Sequence, residues 1–294
     1  MPTESTARPS AGSIIAAALV LIYLASLVLT AFTSPDGLQV SADPDAARMP
    51  LWAVLLPSAA GIILTALLPA RAYNQPAFPD EPGRLRLTTV LLLALAVLYP
   101  LLSRLLPLIP EDVILLKFVM LLVIPGILVL VLRRAVVIER TDGAWRWWAP
   151  GIVILVWFAL SQLAPWNPPF DASGIDRTYL IMAAIATAIT AGIGEELFFR
   201  RWLQTRLEAL ITPAAGLGLA SLLFALMHFS THSSSGAGEY GSWQVLIDAA
   251  RMIVVQGTFG VMLGLMWLRY RNLLAIILVH LLVNGWGVLV ALVA

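Results

Sequence analysis

The sequence predicts an all-α fold, a polytopic bundle of about nine transmembrane helices with a cytoplasmic N-terminus. Three observations carry that prediction. Of 294 residues, 60% are hydrophobic and only 12% charged, with a mean hydropathy of +0.89, which leaves too little polar surface to cover a water-soluble globule. Uncharged apolar runs long enough to cross about 30 Å of hydrocarbon recur along the whole chain. Basic residues fall in every second loop between those runs, the pattern that orients helices in a bilayer.

The runs lie near 12–33, 50–70, 87–106, 113–132, 149–165, 178–199, 213–229, 244–268 and 273–293. The first is preceded by Arg8 alone, is longer than the apolar core of a signal peptide and has no small-residue cleavage site behind it, so a retained anchor is expected. The loops after the second, fourth, sixth and eighth runs carry Arg71, Arg84 and Arg86, then Arg133, Arg134, Arg140 and Arg146, then Arg200, Arg201 and Arg206, then Arg269 and Arg271. The intervening loops carry Asp36, Asp43, Asp45, Glu111, Asp112, Asp171, Asp176 and Glu239, against Arg48 and Arg177. The arginine loops are therefore expected in the cytoplasm and the C-terminus outside. Trp145, Trp147, Trp148 and Trp166 flank the fifth run as an interfacial belt would. The expected location is a cell membrane, a bacterial inner membrane.

Cysteine is absent, which excludes a disulfide framework, a thiolate nucleophile and a cysteine metal site. The net charge of +1 gives no electrostatic footprint, and no nucleic-acid partner is expected. No internal repeat is visible, and the only low-complexity stretch is Ser233 to Gly238. Polar groups at membrane depth gather late in the chain. The first four runs hold few, Lys117 being the main exception, so residues 1–148 are expected to form accessory helices and residues 149–294 the functional half.

Three spacings in that half matter. Glu196 and Arg200 are four apart and can pair along one helix face, while Glu195, rotated by about 100°, is left for a different partner. Phe224 and His228 are four apart, so the phenyl ring can limit the imidazole's rotamers; His280 and Asn284 repeat the spacing. Taken singly, Glu195-Glu196 with Arg200 reads as an interfacial charge cluster, and a histidine with an asparagine as hydrogen-bonding glue between helices. Jointly, a carboxylate and an imidazole suffice to polarise a water for attack on a carbonyl, and a second imidazole with a carboxamide can donate to the oxyanion.

Glu195-Glu196-x-x-x-Arg200, Phe224-x-x-x-His228 and His280-x-x-x-Asn284, in this order on successive helices, resemble the motifs of the CAAX-processing and bacteriocin-processing (CPBP, or Abi) intramembrane proteases. The resemblance covers roughly residues 150–294. It implies glutamate-dependent peptide hydrolysis within the bilayer, with a membrane-associated protein or peptide as substrate and the lipid bilayer as partner. Glu195 would be the general base, His228 its partner on the water, and His280 with Asn284 the oxyanion site. Glu196 and Arg200 would hold the helix, with Phe224 in support. Eukaryotic relatives trim the last three residues of prenylated CAAX proteins; bacterial ones lack that substrate, and several are tied to bacteriocin maturation, immunity or protein sorting, so the resemblance leaves the substrate open.

No cofactor is expected. A zinc-dependent form stays open as the alternative, because Glu195, His228 and His280 are nitrogen and oxygen ligand types; so does a non-catalytic immunity or scaffold protein. His232 is expected in a solvated loop, and Asp248 with Arg251 as an i,i+3 pair facing the bundle. One expectation conflicts with the others. At the α-helical rise, Glu195 and His280 lie about 10–15 Å from the cytoplasmic ends of their runs, whereas His228 lies about 22 Å beyond Pro213. A shared water requires a tilted seventh helix, a re-entrant 213–218, or different helix ends. Gly192, Gly194, Gly216 and Gly218 are expected to allow close helix approach.

Overall fold

The computed structural model describes residues 10–39, 47–70, 76, 82–132, 145–168, 170, 172–229 and 242–293. Arg8, Arg71, Arg133, Arg134, Arg140, Asp43, Asp45, Asp171, Glu239, His232 and the Ser233 to Gly238 stretch lie outside the described residues. The helices, in chain order, are α1 (Ala11–Thr33), α2 (Leu51–Leu67), α3 (Pro82–Leu105), α4 (Pro110–Val131), α5 (Trp145–Ser161), α6 (Arg177–Leu210), α7 (Pro213–Leu226), α8 (Ser242–Tyr270) and α9 (Leu273–Val293). The β contribution among the described residues is one antiparallel bridge, Leu38 to Met49.

Local chemistry sets the helix starts. The side chains of Ser10, Asp176, Thr212 and Asn272 accept from the backbone N–H groups of Ser13, Tyr179, Ala215 and Ala275, capping α1, α6, α7 and α9. Pro213 follows its cap at the first helical position, where a missing N–H costs nothing. Inside α4, Pro125 has no N–H to offer the Leu121 carbonyl, and the helix widens into a π turn over Val119–Val123 just before it.

Among the described residues six helices are long and apolar enough to cross a membrane: α1, α3, α4, α6, α8 and α9. The apolar runs at 50–70, 149–165 and 213–229 give shorter helices of 17, 17 and 14 residues. Leu68 leaves α2 in extended conformation ahead of Pro69, and α7 ends at Leu226 in a turn that carries His228. The expected boundary at 148/149 falls inside α5.

Polarity runs inside out. Phe32, Leu67, Val131 and Val293 are largely exposed on the outer surface, while Glu195, Glu196, Arg200, Gln204 and Glu208 are completely buried. Only a hydrocarbon surrounding makes that distribution favourable, so the chain is a multi-pass membrane protein. α8 packs against α7, α1 and α2, and α9 lies along α6. Phe198, Phe199, Phe224, Phe259, Trp157 and Trp267 form the buried apolar core between them.

α6 corrects the sixth expected run, which ended at residue 199. It continues to Leu210, and two of its arginines find partners within the helix: Arg200 forms an ion pair with Glu196, and Arg206 donates to the Trp202 carbonyl at 2.9 Å. The chain then reverses through Ile211 and Thr212 into α7. A Cβ at Gly216 would stand 2.6 Å from the Glu208 amide nitrogen, so only glycine lets α7 return against its own turn. The depth conflict between Glu195 and His228 disappears, since Glu195 lies fifteen residues before Leu210 and His228 fifteen after Pro213.

Candidate active site

Residues Ala188–Gln204 of α6 form a π-helical run of 17 residues, a conformation that is rare and concentrated at functional sites. Both carboxylates sit on it. Arg200 Nε lies 3.3 Å from Glu196 Oε2, and the guanidinium stacks 4.6 Å from the centre of the Phe224 ring. The His280 Nδ1–H donates to Glu196 Oε1 at 2.7 Å. Glu195 forms an ion pair with Lys117 of α4, and its Oε2 faces two imidazole nitrogens, His228 Nε2 at 4.0 Å and His280 Nε2 at 3.8 Å.

Partners fix the imidazoles. The Phe224 carbonyl can only accept, so His228 Nδ1 donates to it at 2.8 Å and leaves Nε2 as the atom turned toward Glu195. His280 repeats the arrangement with Glu196 as acceptor. Aromatic rings hold both in place: Phe224 lies 5.0 Å from His228 and 6.0 Å from His280, and Phe259 lies 5.6 Å from His280, all edge to face. His228 lies past the end of α7, so its orientation comes from this carbonyl and ring rather than from a helix face.

Beneath the site, the same stretch of α6 is pinned to α8. Gln204 Nε2 donates to the Gly264 carbonyl at 2.9 Å and to Glu208 at 2.8 Å, and Glu208 is ion-paired with Arg271. Trp267 Nε1 donates to Thr205 Oγ1 at 3.0 Å, and that hydroxyl donates to the Arg200 carbonyl five residues back. A Cβ at Gly192 would collide with the Leu281 side chain, so α6 and α9 meet closely about one turn of chain from the carboxylates.

Glu195, Glu196, Arg200, Phe224, His228 and His280 thus lie in one cluster. Asn284, one turn along α9 from His280, is exposed and makes no hydrogen bond to the described residues. The expected separation of the two glutamates is only partial, because His280 touches both. The sequence singled out Lys117 without giving it a partner. The signal was there: a lone ammonium in an apolar helix requires an anion, and Glu195 was the carboxylate left over. Asp248 and Arg251 pair at 3.4 Å at the C-terminal end of α1, where Arg251 also bonds Ser34, apart from the cluster. Among the described residues no group of three or more His, Asp or Glu has the spacing that holds a metal ion.

Residues 177–286 match the family model described as Rce1-like, type II CAAX prenyl endopeptidase. That segment begins at α6 and holds every clustered residue except Lys117. No curated protein and no solved structure matches the chain.

Proposed function

With an Rce1-like CAAX protease domain over residues 177–286 as the premise, we propose that the chain is a glutamate-type intramembrane endopeptidase of a bacterial inner membrane. Its substrate is a membrane-associated protein or peptide. The single observation that supports this most is the approach of His228 Nε2 and His280 Nε2 to Glu195 Oε2 at 4.0 and 3.8 Å, with both Nδ1 atoms already engaged. These gaps are too long for direct hydrogen bonds and suit one bridging water.

Glu195 Oε2 and neutral His228 Nε2 are both acceptors, so a water between them donates to each and turns its lone pair outward. Glu195 takes the proton as the water oxygen attacks the scissile carbonyl, and returns it to the leaving amine. His280 commits its Nδ1–H to Glu196, which leaves Nε2 as the atom that faces the forming oxyanion and donates to it when the ring carries both protons. Asn284 is the candidate second donor from the next turn of α9. Glu196 and Arg200 hold His280 and the π run in place.

The test is cleavage of a farnesylated CAAX peptide and of an unprenylated peptide library by purified protein in liposomes, comparing wild type, Glu195→Gln and His228→Ala with and without a chelator. Cleavage by wild type alone, indifferent to the chelator, supports the proposal. Loss on chelation transfers the role of Glu195, His228 and His280 to zinc ligation. Absence of cleavage by wild type, with equal folding of all three, favours the non-catalytic immunity or scaffold role.

A further inference from the structure

The two adjacent carboxylates are sorted between two cations from different parts of the chain. Arg200, on the same helix, takes Glu196; Lys117, on α4, takes Glu195. Lys117 is the sole basic residue of α4 and lies outside the segment that matches the family. Its side chain keeps 17% exposure, while the carboxylate that it meets has none. We propose that Lys117 is a positioning residue for the hydrolysis: its ammonium holds Glu195 ionised and aimed at His228 and His280, and the N-terminal helices thereby supply an essential part of the site. This rests on Glu195 being the base.

Three further observations support it. An ionised carboxylate at membrane depth is unfavourable without a partner, and neither of the Glu195 oxygens accepts a hydrogen bond within the described residues, so Lys117 is its one ionic contact with a fixed positive charge. Without that charge, Arg200, already paired with the neighbouring Glu196, would be shared between the two carboxylates, which would disturb the Glu196–His280 bond as well. The depth of Lys117 is itself set. The π turn at Val119–Val123 follows it directly, and Leu122 of that turn packs toward Gly194, with its Cβ 3.8 Å from where a Cβ of that glycine would lie.

The experiment uses the full chain in liposomes with the peptide that wild type cleaves fastest among the farnesylated CAAX peptide and the unprenylated library, comparing wild type, Lys117→Met, Lys117→Gln, Lys117→Arg and Glu195→Gln. Infrared difference spectra read the Glu195 carboxylate band, identified by its loss in Glu195→Gln. The expected result is a fall in kcat on the order of a hundredfold for Lys117→Met and Lys117→Gln, with KM unchanged, and recovery of most of it in Lys117→Arg. In the neutral variants the carboxylate band gives way to a protonated carbonyl band. Wild-type kcat in both neutral variants, or persistence of the band in them, overturns the proposal. Undiminished turnover by Glu195→Gln instead overturns Glu195 as base, and the infrared band then still decides whether Lys117 holds its charge.

Discussion

His280 joins the two carboxylates of one helix: its Nδ1 donates to Glu196 at 2.7 Å while its Nε2 stands 3.8 Å from Glu195. One imidazole thus meets a carboxylate with a supporting role on one edge and a reactive one on the other.

Glu195→Gln and Glu196→Gln are therefore expected to fail differently. The first abolishes cleavage while thermal unfolding in detergent changes less, because the Lys117 ammonium that it leaves without an anion keeps 17% exposure and so some access to polar surroundings. The second leaves Arg200 buried without its carboxylate and lowers stability by about 3–5 kcal/mol. Pairing it with Arg200→Met recovers much of that loss. Equal unfolding temperatures for the two single variants would contradict this division.

His228→Ala is expected to slow cleavage about 10²–10⁴-fold, the range of a lost proton-handling group, with a small change in unfolding temperature. The imidazole sits in a turn past the end of α7, so little packing depends on it. Steady-state kinetics beside a thermal melt checks both halves.

Phe224→Ala is expected to cost about 3–5 kcal/mol and most of the activity together. The ring carries Arg200 on its face and both imidazoles at its edge, so its removal loosens all three at once. Phe224→Leu, which keeps volume without the ring, restores stability further than turnover.

Gly216→Ala is expected to destabilise by about 1–3 kcal/mol, because the backbone of Leu207 and Glu208 occupies the space that the methyl needs. Gly285→Ala, with nothing within 4 Å of the added methyl, is expected to stabilise α9 by about 0.5–1 kcal/mol. Thermal unfolding of the two variants side by side tests the contrast.

The order and type of the helices were legible because an apolar run of the right length has few other fates in a bilayer. The ends were not. Arg200, Arg201 and Arg206 looked like a loop, yet Arg200 pairs with Glu196 and Arg206 bonds a backbone carbonyl inside α6, and the helix continues past them. Pairings at four-residue spacing survived, as Glu196 with Arg200 and Phe224 with His228 show, since their contacts are short-range. The π run was not legible: residue spacing read for an α-helix separates Glu195 from Glu196 more cleanly than the wider turn does, and hides that one imidazole reaches both. The three motifs led to the cluster, whereas the exposure of Asn284 depends on how α9 lies on its neighbours.

The sorting of charges also has an order in time. A ribosome delivers Lys117 well before Glu195 and Glu196, and Arg200 immediately after them, so each carboxylate meets its cation as α6 enters the bilayer. His228 and His280 emerge later, on helices that join a segment already electrically balanced. Synthesis thus makes the two acidic side chains and both of their cations before either imidazole, so the ionic part of the cluster is complete in the chain before its proton-handling part.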